Sequence, residues 1–199
     1  MADGKIFLLM GKSTSGKDTI YRNLIDDSEL SLKKIIPYTT RPMREGERDG
    51  VQYFFKSDEE YKALRKEGKI IEERIYHTMR GDWIYFTADD AQADLENGNY
   101  LVIGTLESFC SIRDHFGEKS VVPIYIDVDA KIRLLRGMHR EEKQEVPHYD
   151  EMCRRFLADE EDFSEDNLFK AGIDKRFFNN DKLEDCLDEI RAYIRDRIG

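Results

Sequence analysis

The seven residues Gly11, Lys12, Ser13, Thr14, Ser15, Gly16 and Lys17 have the GxxxxGK spacing, which suits one chemical task, the holding of a chain of phosphates. The glycines let the backbone approach an anion closely, successive N–H groups turn into the loop, and a helix opening at Gly16 adds its N-terminal dipole. Lys17 then reaches the β and γ phosphates as a point charge that stabilises a moving phosphoryl group. Asp18 departs from the motif, because it stands where a serine or threonine oxygen normally meets magnesium. A carboxylate is also a hard oxygen ligand. Asp18 and the neighbouring Thr19 are therefore both candidates for Mg2+, and Gly11 to Thr19 is the candidate ATP phosphate site.

A second set of phosphate-binding types lies further on. Arg41 and Arg44 stand three residues apart beside Pro42 and Gly46, and Tyr53 follows in the next apolar run. Two guanidinium forks can converge on a phosphate with a phenol adding a third donor; a solvated charged loop is the plainer alternative. Arg136 and Arg140, four apart, share a helix face, and Arg154 or Arg155 can oppose them across a charged segment. Taken singly, each of these is an ordinary helix-surface arginine.

The elements that must position these groups follow from apolar periodicity. Lys5 to Met10 reads as a buried strand running into the glycine-rich loop, and the helix after it carries Ile20, Leu24 and Ile25 on one face. A strand is expected near Lys34 to Thr39, then a polar arginine-rich segment, a strand at Val51 to Phe55 and a helix to about Arg65 opened by the Ser57–Glu60 capping box. Ile70 to Tyr76 and Trp83 to Phe86 are strand candidates without the long helices that parallel crossovers need, so a partly antiparallel insertion is expected there. Thr87 with Asp90 is placed to cap a helix holding Ala91 and Leu95. Strands follow at Tyr100 to Leu106 and Val121 to Ile126, and a helix starts from Asp129. Gly137 to Tyr149, interrupted by Pro147, reads as a mobile flap before a helix near Asp150 to Asp162. A short strand at Arg176 to Phe178 and a terminal helix striped by Leu183, Leu187, Ile190 and Ile194 complete the chain.

This order predicts an α/β fold of the P-loop NTPase class, a parallel sheet flanked by helices, with an inserted acceptor-binding subdomain and a mobile lid. The expected divisions are a core of 1–38, 87–136 and 165–199, the subdomain at 39–86, and the lid with its adjoining helix at 137–164. With 199 residues there is room for one such domain. A net charge of -10 argues against broad attachment to nucleic acid or an anionic membrane. The three cysteines, Cys110, Cys153 and Cys186, form no CxxC pair, which fits a reducing, cytoplasmic setting.

The chain resembles the guanylate kinase family. The resemblance rests on the strand and loop from Phe7 to Lys17, on a TTRxxRxGExxGxxYxF segment at Thr39 to Phe55 that includes Glu47 and Gly50, on Glu72 ending an apolar run, and on Asn179, Asn180 and Asp181 before the last helix. It implies that Arg41, Arg44 and Tyr53 hold an acceptor phosphate, that Glu72 reads a guanine edge, and that Arg136, Arg140, Arg154 and Arg155 belong to a lid closing over ATP. Lys17, Arg44, Arg136 and Arg155 are the expected catalytic residues. The implied reaction is direct in-line transfer from ATP with Mg2+, which positioning and charge neutralisation can carry without a strong general base.

The base-reading positions depart from the family. Pro37 and Tyr38 replace its usual serines. The tyrosine and hydroxyl of its GNYYG[TS] turn align with Arg80 and Asp82, which are accordingly taken as acceptor-binding candidates. Ile103 to Leu106 replace the acidic end of its LDID-like strand, leaving Glu107 as the nearest carboxylate. The acceptor thus stays open between GMP, another nucleoside monophosphate and a sugar phosphate such as ribose 1,5-bisphosphate. A noncatalytic protein-interaction module of the same fold is the remaining alternative. The expected partners are small nucleotides, with no nucleic acid and no membrane, and the expected state is a monomer or homodimer.

Overall fold

The computed structural model describes residues 4–44, 46–78 and 81–198. Its central sheet is built from β1 (Ile6–Gly11), β2 (Lys33–Lys34), β7 (Tyr100–Ile103), β8 (Val121–Asp127) and β9 (Arg176–Phe178), in the order β2-β7-β1-β8-β9. All four pairings are parallel. Every residue of β1 is buried, as a strand covered on both faces requires. Phe7 and Leu9 pack with Ile20 and Leu24 of α1 (Lys17–Ile25) and with Leu187, Ile190 and Ile194 of α7 (Leu183–Ile198). Ile6, Leu8 and Met10 pack on the other face with Phe109 and Ile112 of α3 (Leu106–Phe116) and with Leu168 of α6 (Glu165–Ala171). With neighbours on both sides, β1 delivers its C-terminal end to the crevice where open α/β sheets bind ligands.

A second, mixed sheet has the order β4-β3-β6-β5, formed by β3 (Tyr38–Thr39), β4 (Phe54–Phe55), β5 (Ile70–Thr78) and β6 (Gly81–Ala88). β3 pairs parallel with β4 and antiparallel with β6, and β5 with β6 forms a long hairpin. α2 (Asp58–Lys66) covers it through Tyr61, which packs with Tyr38, Ile84 and Phe86. The capping box at Ser57 and Glu60 is formed on both sides.

Four expectations need correction. The strand read across Lys34 to Thr39 is two strands in two sheets. Pro37 has no N–H to extend a ladder, and its carbonyl accepts from Phe54 in the second sheet. No helix follows Asp90: Thr87 lies in β6, Ala91 takes a left-handed φ of 66°, and Asp90 is held by the Tyr38 hydroxyl and the Gln92 N–H. The strand beginning at Tyr100 stops at Ile103, because Thr105 accepts the Ser108 N–H and opens α3, a helix the periodicity did not suggest. Finally, Gly137 does not begin a flap. It lies inside α4 (Ala130–Glu141), where a Cβ would stand 2.9 Å from the Met152 sulfur of α5 (Tyr149–Asp162), so the glycine lets the two helices approach closely.

Candidate active site

The loop after β1 turns through Thr14 at φ 63° and Gly16 at φ 90°. Only glycine holds the second value without strain. A Cβ there would also meet the Asn179 Nδ2 at 2.6 Å, the same nitrogen that donates to the Ser15 carbonyl at 2.8 Å. Asn179, itself 3 % exposed, accepts at its own carbonyl from Arg136 at 2.9 Å. The turn before α7 is thus a strut under the loop.

The loop already holds a carboxylate. Asp159 of α5 accepts from the Ser13 backbone N–H at 2.6 Å, Glu160 beside it pairs with Lys12 at 2.7 Å, and Glu160 also pairs closely with Arg133 of α4. Thr14 donates its hydroxyl to the Arg133 carbonyl at 2.8 Å. Arg133 is 1 % exposed, lies 4.4 Å over the Phe156 ring, and leaves Nε and Nη1 without a protein partner among the described residues. Ser15 Oγ and Arg136 Nη1 are likewise buried without partners. Buried, unmatched polar groups beside an inward-facing N–H fit an anionic ligand.

Burial pushes the Lys17 ammonium below its usual range; Asp18 and Asp159 oppose that shift, while Arg155 and Arg140 reinforce it. Arg140 and Arg155 line a narrow cleft with Ser13, Thr14, Arg133 and Gly137, so α4 and α5 bring both to the loop. Arg154 does not join them, being exposed and clamped by both oxygens of Glu151. Arg133 is the arginine of this cleft that reading the sequence missed. Its spacing from Arg136 and Arg140 by three and seven residues is the helical signal that would have found it.

Asp18 and Thr19 are exposed in the first turn of α1. Among the described residues no three His, Cys, Asp or Glu side chains gather as a metal cluster. A magnesium ion would take most of its shell from substrate phosphates and water, which is that ion's habit, and the hard oxygens of these two residues fit such a site.

In the second sheet Arg41 is 4 % exposed. It is gripped by both Glu47 oxygens at 2.7 and 2.6 Å, donates to the Tyr85 hydroxyl at 3.1 Å and lies over the Tyr53 ring. Glu47 also accepts from the Arg44 backbone N–H, and these contacts pull its carboxyl down to about 2, with Arg41 the main cause. The motif glutamate therefore closes the loop around Arg41, leaving the Arg44 side chain exposed. Tyr53 packs edge-on to Tyr85.

Glu72 sits where β5 faces α3. Its oxygens accept from the Thr87 and Ser108 hydroxyls at 2.7 and 3.1 Å. Burial raises its carboxyl above the usual range against the opposing effect of those hydroxyls and of Arg74. Asp82 does not reach this site. It pairs with His77 at the exposed end of the hairpin, five residues or about 16 Å along the strand from Glu72. Arg80 lies outside the described residues. The tyrosine and hydroxyl beside Arg41 and Glu72 are instead Tyr85 and Thr87. The sequence reading missed them because strand register decides which residues of β6 face Arg41 and Glu72, and the Tyr85-x-Thr87 spacing was the available signal.

Comparison with known proteins shows the family and the fold. The guanylate kinase family model matches residues 3–197. The chain is 29 % identical over 194 residues to a guanylate kinase of Caldanaerobacter subterraneus subsp. tengcongensis, covering 96 % of this chain and 86 % of the relative. The crystal structure of guanylate kinase from Anaplasma phagocytophilum superposes with a TM-score of 0.67 at 19 % identity, covering 98 % of this chain and 87 % of the other, and supports the fold. With an anion-ready loop at the end of β1 and a family match spanning nearly its whole length, the chain belongs to the guanylate kinase family and is a guanylate kinase-like phosphotransferase.

Proposed function

We propose that the chain transfers the γ-phosphoryl group of ATP to the phosphate of GMP. The observation that carries this reading is one half-buried carboxylate, Glu72, with both oxygens steadied by hydroxyls, in the same chain as an anion cradle that already binds a carboxylate at Ser13. An oriented carboxylate accepts from the adjacent ring N–H and amino group of guanine and meets no such donor pair on adenine. The Ser13 to Lys17 backbone would hold the β and γ phosphates, with Lys17, Arg133, Arg136, Arg140 and Arg155 neutralising charge around the transferred group. Arg41, Arg44, Tyr53 and Tyr85 would orient the acceptor phosphate, whose oxygen is already anionic and requires no base. Asp18 and Thr19 would hold a magnesium ion, which would supply further charge neutralisation.

The test is ADP release with ATP and Mg2+ against a panel of nucleoside monophosphates and ribose 1,5-bisphosphate, with mass detection of products and Lys17→Ala as the silent control. Turnover confined to GMP and dGMP is expected. Turnover of another acceptor instead would reassign the substrate, and none at all would return the chain to a binding role.

A further inference from the structure

Glu72 is not alone on its face of β5. Residues two apart on a strand project to the same side, and Arg74 is the next in that row, opposite Tyr85 as Glu72 is opposite Thr87. The two are joined through α3 by a continuous chain of hydrogen bonds. Thr87 donates to Glu72, Ser108 donates to the other Glu72 oxygen, the Ser108 and Thr105 hydroxyls are 3.1 Å apart, and Arg74 Nη2 donates to Thr105 at 2.9 Å.

Arg74 is held but not saturated. Its other contacts are long, 3.3 Å from Nη1 to the Tyr76 hydroxyl and 3.5 Å from Nη2 to the exposed Glu107. A guanidinium has five N–H donors; these contacts use three of them, two only weakly, so two N–H groups remain available to a ligand. It lines a cavity of about 300 Å³ with Thr105, Glu107, Asn167 and Lys170, within the size range of small-molecule sites. Glu72 stands just beyond that lining, two residues back along the same row of β5, so the strand presents in succession a group that only accepts and a group that only donates.

The complementary ligand edge carries N–H donors next to a carbonyl. A 6-oxopurine has that edge. Adenine inverts it, setting its ring nitrogen against the carboxylate and its amino group against the guanidinium. We propose that Arg74 is a specificity-determining residue of the acceptor site, donating to the ring carbonyl of a 6-oxopurine nucleotide whose N–H edge is read by Glu72. This rests on the GMP reading above and adds a second, independent reader to it. Like-facing donors or acceptors leave desolvated groups unpaired, and that is a stronger source of discrimination than a missing contact alone.

The test compares the unaltered chain with Arg74→Met and Arg74→Lys, measuring binding by calorimetry and kcat/KM for GMP, IMP and 6-thioguanosine monophosphate. The thio analogue keeps the N–H donors and replaces the carbonyl oxygen with a weakly accepting sulfur. Arg74→Met should weaken GMP and IMP equally, by about tenfold to a hundredfold, the range of one bidentate base contact. It should erase the preference for GMP over the thio analogue, with Arg74→Lys restoring part of it and ATP affinity unchanged in both. A full preference for the carbonyl surviving in Arg74→Met, or an equal loss for all three nucleotides, overturns the inference while GMP turnover by the unaltered chain still stands. If the unaltered chain neither binds nor phosphorylates GMP, the functional reading fails and this inference falls with it.

Discussion

Asp159 Oδ2 accepts a 2.6 Å hydrogen bond from the backbone N–H of Ser13, which places a side-chain carboxylate from α5 on the loop proposed to receive phosphate. The contact is reinforced next door, where Glu160 joins Lys12 of the loop to Arg133 of α4. On the function proposed above, a nucleotide phosphate and Asp159 would compete for the same donor, so ATP binding would include the free energy of breaking this contact. Asp159→Ala should therefore tighten ATP binding by about fivefold to thirtyfold, corresponding to ~1–2 kcal/mol for a charge-assisted contact that no longer has to be broken. Titration with a nonhydrolysable ATP analogue measures this directly. Unchanged or weaker binding would mean that the carboxylate does not compete.

Glu47 and Glu72 depend on pH in opposite senses. Arg41 holds the Glu47 carboxyl at about 2, below its ordinary 4.5, so its contribution to stability is complete above 4.5 and is lost as the pH falls toward 2. Glu47→Gln should lower stability at pH 7 by about 1–3 kcal/mol, since it leaves a nearly buried guanidinium without its charged partner. That difference should shrink below pH 4.5 in denaturant titrations. A pH-independent difference would show that the ion pair is not its source.

For Glu72 the folded carboxyl is raised above 4.5, mainly by burial. The folded state then binds the proton more readily, and stability falls as the pH rises through 4.5 to the raised value. Glu72→Gln keeps the oxygen for one hydroxyl and offers an amide to the other, without the buried charge. It should raise the melting temperature at pH 7 by about 2–4 °C, the shift that ~1 kcal/mol produces in a chain of this size. The gain should vanish near pH 4, and GMP affinity should fall. A melting temperature that drops at pH 7 would contradict the burial argument.

These predictions involve residues that differed in how visible they were in the sequence. The loop at Gly11 to Lys17 and the segment from Thr39 to Phe55 were legible because their chemistry is local: consecutive N–H groups in one, and Arg41 with Glu47 six residues away in the other. Tyr85 and Thr87 were hidden because their placement depends on hairpin register, which the strand character of either half does not reveal. Asp159, 146 residues from Ser13, and Arg133 enter the site only through the packing of α4 on α5, and no local spacing connects them with the loop. The helix wrongly expected after Asp90 has the same origin. Its capping types were present, but Tyr38 and Gln92 claim the Asp90 side chain.

Asn179 and Gly16 provide a test of how rigid the cradle must be. The Asn179 amide satisfies the Ser15 carbonyl and occupies the space a Cβ on residue 16 would need, at 2.6 Å. Asn179→Ala should cost about 1–3 kcal/mol by leaving that buried carbonyl without its donor. Gly16→Ala should cost at least as much, combining a strained φ of 90° with the clash. In the double variant the clash is gone while the strained φ and the missing donor remain. The combined loss should then fall short of the sum of the single losses by about 1 kcal/mol, within the range for residues in contact. A denaturant-based double-mutant cycle reads this coupling, and ATP affinity measured on the same four proteins shows whether the loop or only the fold is affected. Strict additivity would remove Asn179 as the strut, leaving the glycine requirement to the backbone alone.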